Sequence, residues 1–125
     1  MVVGDDVRRA LEEHARAELP NEACGLVVVR GGEAIRYERG RNAAASPYRF
    51  ELEVDPELWF LEDEGYELAV FHSHPSTAAR PSRTDVERIG LWERRPFLIL
   101  SVSSGELAGF RISGGSVRKE PLTRP

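Results

Sequence analysis

The order of hydrophobic patterns in this sequence predicts an α+β fold, a mixed β-sheet flanked by helices. Apolar residues alternate between a period near 3.6 and a period near 2, in the order helix, three strands, helix, strand, helix, three strands. Short glycine turns, Gly31-Gly32, Ser104-Gly105 and Gly114-Gly115, join neighbouring strand segments as hairpins. The 125 residues, 41% hydrophobic and 30% charged, suit one domain with one core spanning residues 1–125.

Each element has a local reason. Val7, Ala10, Leu11, Ala15 and Leu19 approximate one helix face, Asp5 and Asp6 complement its positive N-terminal end, and Pro20 closes it. Ala23 to Arg30 is a nearly unbroken valine-rich run, the pattern of a buried strand, and Ala34 to Arg39 alternates as its return strand. Gly40 to Pro47 reads as a loop, after which Tyr48, Phe50, Leu52 and Val54 share one strand face. Asp55 as N-cap and Pro56 at the first helical position open a helix carrying Leu58, Trp59 and Leu61 that ends at Gly65. Leu68 to His74 is a strand halted by Pro75, followed by a small, polar loop to Pro81. Ser82 to about Trp92 reads as a helix with Val86, Ile89 and Leu91 as its apolar positions. Phe97 to Val102, Leu107 to Ile112 and Val117 to Leu122 complete the pattern as strands.

Charge and composition exclude several classes. Seventeen basic against twenty-one acidic side chains, a formal charge of −4, leave no basic block to coat nucleic-acid phosphates. No apolar run is longer than Leu26 to Val29, too short to cross a bilayer, and no apolar signal segment precedes the first charges at Asp5 and Asp6. Cys24 is the only cysteine, so no intrachain disulfide can form, and a reducing, cytoplasmic location is expected.

The chemistry concentrates in Phe71-His72-Ser73-His74-Pro75, with Ser82 and Asp85 beyond the loop. Residues two apart on a strand face the same way, so His72 and His74 project together with Cα atoms roughly 6.5 Å apart, within reach of one ion. A catalytic zinc site takes three protein ligands, and Asp85 is the natural third if the loop folds its helix back over the strand end. The bland alternatives are a pair of satisfied core histidines and an ordinary capping box formed by Ser82 and Asp85. Capping and ligation are compatible, because Ser82 can accept with one lone pair while its hydroxyl hydrogen points elsewhere. Glu22, between Pro20 and the first strand, reads either as a solvated loop carboxylate or as a general base beside the metal.

Glu22, His72-x-His74-Pro75, the seven residues from Pro75 to Pro81, and Ser82-x-x-Asp85 together resemble the JAMM motif of MPN+ zinc metalloproteases. The element order is similar to that family's cytidine-deaminase-like, three-layer fold over nearly the whole chain. The resemblance implies one zinc ion per chain held by His72, His74 and Asp85, Glu22 contacting the water on that metal, and Ser82 donating to the oxyanion. Asn42 stands where the family often has an asparagine, and is a further substrate-site candidate.

By the same resemblance the substrate is a ubiquitin-like protein. The chain lacks room for the insertions of ubiquitin-processing members and resembles the minimal prokaryotic type, which acts on sulfur-carrier proteins with a Gly-Gly tail. Asn21-Glu22-Ala23-Cys24-Gly25 and Pro81-Ser82-Arg83-Thr84-Asp85 look most like the actinobacterial group that releases cysteine from the carrier, a step of cysteine biosynthesis. Release from a target lysine is the other possibility. Arg80 and Arg83 flank the motif, and they read as solvated surface arginines, like most of the chain's sixteen, or with one of them as a partner for the α-carboxylate of the released amino acid. Three rivals stand beside this reading. They are a non-catalytic MPN-type scaffold, a hydrolase using Cys24 with a histidine, and a related domain acting in DNA repair or phage assembly. The expected oligomeric state is a monomer, or a homodimer through exposed strand edges.

Overall fold

The computed structural model describes residues 1–125. The helix α1 spans Asp5–Ala17, and the strands are β1 Cys24–Arg30, β2 Glu33–Arg39, β3 Arg41–Asn42, β4 Leu52–Glu53, β5 Glu67–His74, β6 Pro96–Ser101, β7 Leu107–Ser113 and β8 Ser116–Glu120. A second helix, α2, covers Arg83–Glu87, with 3₁₀ segments at Pro56–Glu64 and Gly90–Trp92. Six strands form one sheet in the order β2-β1-β5-β6-β7-β8, and only the β5–β6 pair is parallel. The expected mixed α+β sheet with flanking helices is therefore present. No helix is long and apolar enough to cross a membrane.

Alternation along the strands builds a core on each face. Val7, Leu11 and Ala15 of α1 pack on Val27, Val29, Phe71, Leu98 and Leu100. On the other face Leu26, Val28, Leu68, Val70, Phe97 and Ile99 are covered by Phe50, Leu58, Trp59, Leu61 and Trp92. Gly25 is required between the layers, because a Cβ there would lie 2.5 Å from the Tyr37 hydroxyl and from the Glu38 carbonyl oxygen. Residues 1–3 join the outer ends of the sheet, since Val2 bridges both Glu33 and Thr123.

Three expected elements differ. Only Leu52–Glu53 of the expected strand over Tyr48 to Val54 pairs, with Arg41–Asn42. The Asn42 amide captures the Arg49 carbonyl and the Glu51 N–H, so those groups do not enter a longer ladder. The segment from Pro56 is a 3₁₀ helix rather than an α-helix, and Leu58 and Leu61, three apart, fall on one line facing the core. The helix after Ser82 ends at Glu87, and Gly90, at φ 46°, turns the chain into a separate 3₁₀ turn. That turn brings Trp92 onto Trp59, with ring centroids 5.2 Å apart and planes 13° from parallel.

Because β5 and β6 are parallel, the chain must cross over between them, and the crossover leaves from the C-terminal end of β5. In mixed sheets that end is where ligands collect, and the sequence places His72 and His74 there.

Candidate metal centre

Strand alternation puts both imidazoles on the face opposite α1, where His72 is 0% and His74 3% exposed. The Ala78 carbonyl accepts a hydrogen bond from His74 Nδ1 at 2.8 Å. A carbonyl cannot donate, so Nδ1 carries the proton and Nε2 of neutral His74 presents a bare lone pair. Beyond the crossover, Ser82 caps α2 through a reciprocal box: its Oγ accepts from the Asp85 N–H at 3.0 Å, and Asp85 Oδ2 accepts from the Ser82 N–H at 2.9 Å. The same Oδ2 lies 3.1 Å from His72 Nε2 and 3.1 Å from His74 Nε2, and the two nitrogens are 3.1 Å apart.

Three Lewis bases thus converge in a nearly equilateral triangle. Tetrahedral donors at about 2.0–2.1 Å from zinc stand roughly 3.3 Å from one another, so two imidazoles and one carboxylate at this spacing fit a divalent ion with little movement. Phe50 stacks on the His72 ring at 4.5 Å and 21°, and Phe97 meets it edge-on at 6.1 Å, walling the site on its apolar side.

The electrostatics follow from this packing. Burial lowers the His72 pKa, which keeps its ring neutral and able to ligate. Burial works the same way on His74, but its protonated ring would donate to Asp85 as well as to Ala78, and with the charges of Asp85 and Glu22 this outweighs burial and raises its pKa. For Asp85 burial alone would raise the carboxyl, yet the pull of His72 and His74 in their protonated forms and the Ser82 N–H hold it well below the usual carboxylate range.

Sheet register delivers Glu22. β1 and β5 run antiparallel with Cys24 opposite His72. One step further, the Ser73 N–H donates to the Ala23 carbonyl at 3.0 Å and the Ala23 N–H to Ser73 Oγ at 2.8 Å, so the next position along, Glu22, comes opposite His74. Glu22 is 2% exposed and its Oε1 has no hydrogen-bond partner in the protein. Burial, reinforced by the Asp85 charge and opposed by His74, pushes its pKa up to about 8. A carboxyl with both protonation states accessible close to neutral pH suits the exchange of a proton.

The remaining expected residues divide. Asn42 is committed elsewhere: its Nδ2 donates to the Glu22 and Arg49 carbonyls at 3.0 and 3.1 Å, and its Oδ1 accepts from the Ala44 and Glu51 N–H groups at 3.0 Å each. With both donors and both lone pairs used, it braces the Glu22 turn rather than offering substrate a free group. Arg80 is exposed on the crossover loop, and the Arg83 side chain, 92% exposed, pairs with Glu87. Neither lines the cleft beside Asp85; Arg49 and Arg88 do. Cys24 is buried and its thiol is pushed up to about 12 by burial and by Glu22, the opposite of an activated nucleophile. Sequence reading missed Phe50 as a wall of the site and Ser73 as the tether of the Glu22 segment. The first was visible only as alternation, the second only as the residue between two histidines.

Residues 4–112 match the family model of prokaryotic homologs of the JAB domain. The CysO-cysteine peptidase of Mycobacterium tuberculosis is 33% identical over 132 residues, covering 98% of this chain and 89% of its own. The desampylase of Haloferax volcanii is 32% identical over 128 residues, covering 91% and 88%. A JAB1/MPN domain protein of Archaeoglobus fulgidus superposes with a TM-score of 0.63 at 15% identity, covering 98% of this chain and 97% of its own, which shows a shared fold.

Proposed function

Because the chain belongs to the family of prokaryotic JAB-domain homologs, we propose that it is a zinc-dependent peptidase cleaving after the C-terminal Gly-Gly of a ubiquitin-like sulfur carrier, with cysteine as the group released. The observation that carries this reading is the convergence of His72 Nε2, His74 Nε2 and Asp85 Oδ2 at 3.1 Å. The unpaired, buried Glu22 Oε1 stands just ahead of the neighbouring strand β1. The CysO-cysteine peptidase relative supports the substrate class, while the desampylase relative keeps a lysine-linked carrier as the second reading.

His72, His74 and Asp85 would hold the zinc. A bound zinc ion supplies Lewis acidity, easing deprotonation of water and polarising the scissile carbonyl. Glu22 takes the proton of the attacking water and returns it to the leaving nitrogen, which cannot depart as an anion. Its burial keeps the proton from being lost to bulk solvent between the two transfers. Ser82 Oγ accepts from the Asp85 N–H, so its hydroxyl hydrogen remains free to donate to the oxyanion. Asn42 holds the Glu22 carbonyl at 3.0 Å and so fixes the turn that presents the base.

The test is a carrier protein ending in Gly-Gly-Cys, incubated with the enzyme and followed by mass spectrometry. Loss of one cysteine residue is expected, abolished by a zinc chelator and restored by zinc. Glu22→Gln should keep its zinc while turnover falls by about 10²–10⁴. Cleavage that survives chelation, or a Glu22→Gln variant of normal activity, overturns the reading.

A further inference from the structure

A shallow, narrow cleft, with about 20 Å³ open to a water-sized group, adjoins the metal centre. Phe50, Ile89 and Trp92 form its apolar walls, Asp85 contributes to its lining, and Arg49 and Arg88 are its only basic residues. Arg88 follows Asp85 by three residues, so the two side chains project from the same side of one turn. Arg49 precedes Phe50, the residue stacked on His72, and its carbonyl is pinned by Asn42. Both guanidinium groups converge on one carboxylate oxygen: Glu51 Oε1 lies 2.8 Å from Arg49 Nη1 and 3.8 Å from Arg88 Nη1. Two guanidinium groups thus share one resident carboxylate, and with Asp85 also lining the cleft the pair offers spare N–H donors rather than a net positive charge.

We infer that Arg49 and Arg88 form a clamp for the free α-carboxylate of the amino acid being released, with Glu51 as the internal carboxylate that occupies the clamp between substrates. The inference rests on the proposed hydrolysis and specifies what the leaving side must look like. In an α-linked residue the carboxylate carbon is only about 2.5 Å from the scissile nitrogen. A group that reads it must therefore stand beside the metal donors, as this cleft does and as Arg83, paired outward with Glu87, does not. A lysine-linked target places a methylene chain at that position, with no charge for the arginines to meet. Guanidinium recognises carboxylate as a planar fork, which lysine would not reproduce. The clamp thus selects release of a single C-terminal amino acid over removal of a carrier from a protein lysine.

Two measurements separate this inference from the proposed hydrolysis. The first compares carriers ending in Gly-Gly-Cys with a free carboxylate, in Gly-Gly-Cys carboxamide, and in a lysine-linked form. The wild type should prefer the free acid, and Arg49→Gln and Arg88→Gln should lower kcat/KM for it about tenfold to a hundredfold while leaving the carboxamide within about twofold. Equal cleavage of acid and amide by the wild type, or equal losses on both, overturns the clamp. The second measures binding of acetyl-Gly-Gly-Ala and its carboxamide to zinc-loaded Glu22→Gln protein by calorimetry, which needs no turnover. The acid should bind more tightly than the amide. Adding Arg88→Gln should shrink the difference and adding Arg49→Gln as well should erase it, whereas adding Glu51→Gln alone should tighten the acid by vacating the clamp. No preference for the acid, or weaker acid binding with Glu51→Gln, sinks the clamp even if the peptidase activity stands.

Discussion

His14 and His72 are equally withdrawn from water, at 2% and 0% exposure, on opposite faces of one sheet, yet their surroundings differ in kind. On the α1 face His14 Nδ1 meets the Tyr37 hydroxyl at 2.6 Å and Nε2 meets Glu18 at 3.4 Å, so both ring nitrogens are satisfied locally. Tyr37 is itself packed edge-on to Phe71 at 5.3 Å. On the other face the imidazoles of His72 and His74 and the Asp85 carboxylate turn their lone pairs toward one another. Burial of a histidine therefore says little about its role. What separates a structural ring from a ligating one is whether its lone pair is already spent.

That contrast can be broken by exchanging the faces' fates. The largest effect is expected from Asp85→Asn, which retains a capping oxygen but weakens the donor set. Zinc affinity, measured by competition with a colorimetric chelator, should fall by more than about a hundredfold, beyond the 10–100-fold typical of outer-shell changes. His14→Asn should keep one zinc per chain, and metal loss in that variant would erase the distinction between the faces. Next is Tyr37→Phe, which leaves His14 Nδ1 buried without its hydroxyl partner. Urea unfolding should show a cost of about 1–3 kcal/mol with zinc content and turnover unchanged. A smaller effect is expected with pH. Burial, aided by the Arg39 charge and opposed by Glu18, lowers the His14 pKa below its ordinary 6.5. The unfolded chain then binds a proton that the folded one resists, so stability is full above pH 6.5 and declines as pH falls below it. The difference in unfolding free energy between wild type and His14→Asn should shrink across that decline, and a difference that widens toward acid would reverse the assigned sign.

Much of this arrangement was legible because strands have a period of two. Alternation alone put His72 and His74 on one face, and a valine-rich run marked β1 as buried. Ser82-x-x-Asp85 announced a helix start whether or not it bound metal, and both readings describe the same oxygen. Other features were illegible for identifiable reasons. The segment from Tyr48 to Glu51 alternates like a strand, but the side chain of a residue well upstream, Asn42, takes its backbone partners. The helix after Ser82 has apolar residues beyond its true end, and only the packing of Trp92 on Trp59 explains the break near Gly90. Arg80 and Arg83 are neighbours of the motif in sequence, whereas Arg49 and Arg88 are neighbours in space, and a loop's spacing does not report the direction of its side chains. Glu22 could be placed only through the register of β1 on β5, a long-range pairing that no local pattern encodes.

One oxygen, Asp85 Oδ2, both closes the first turn of α2 and faces the two imidazoles. The first turn of α2 and the donor triangle are therefore coupled, and a change at Asp85 is felt in both at once. Ser82, fastened by the same reciprocal cap, is thereby held at a fixed distance from all three donors.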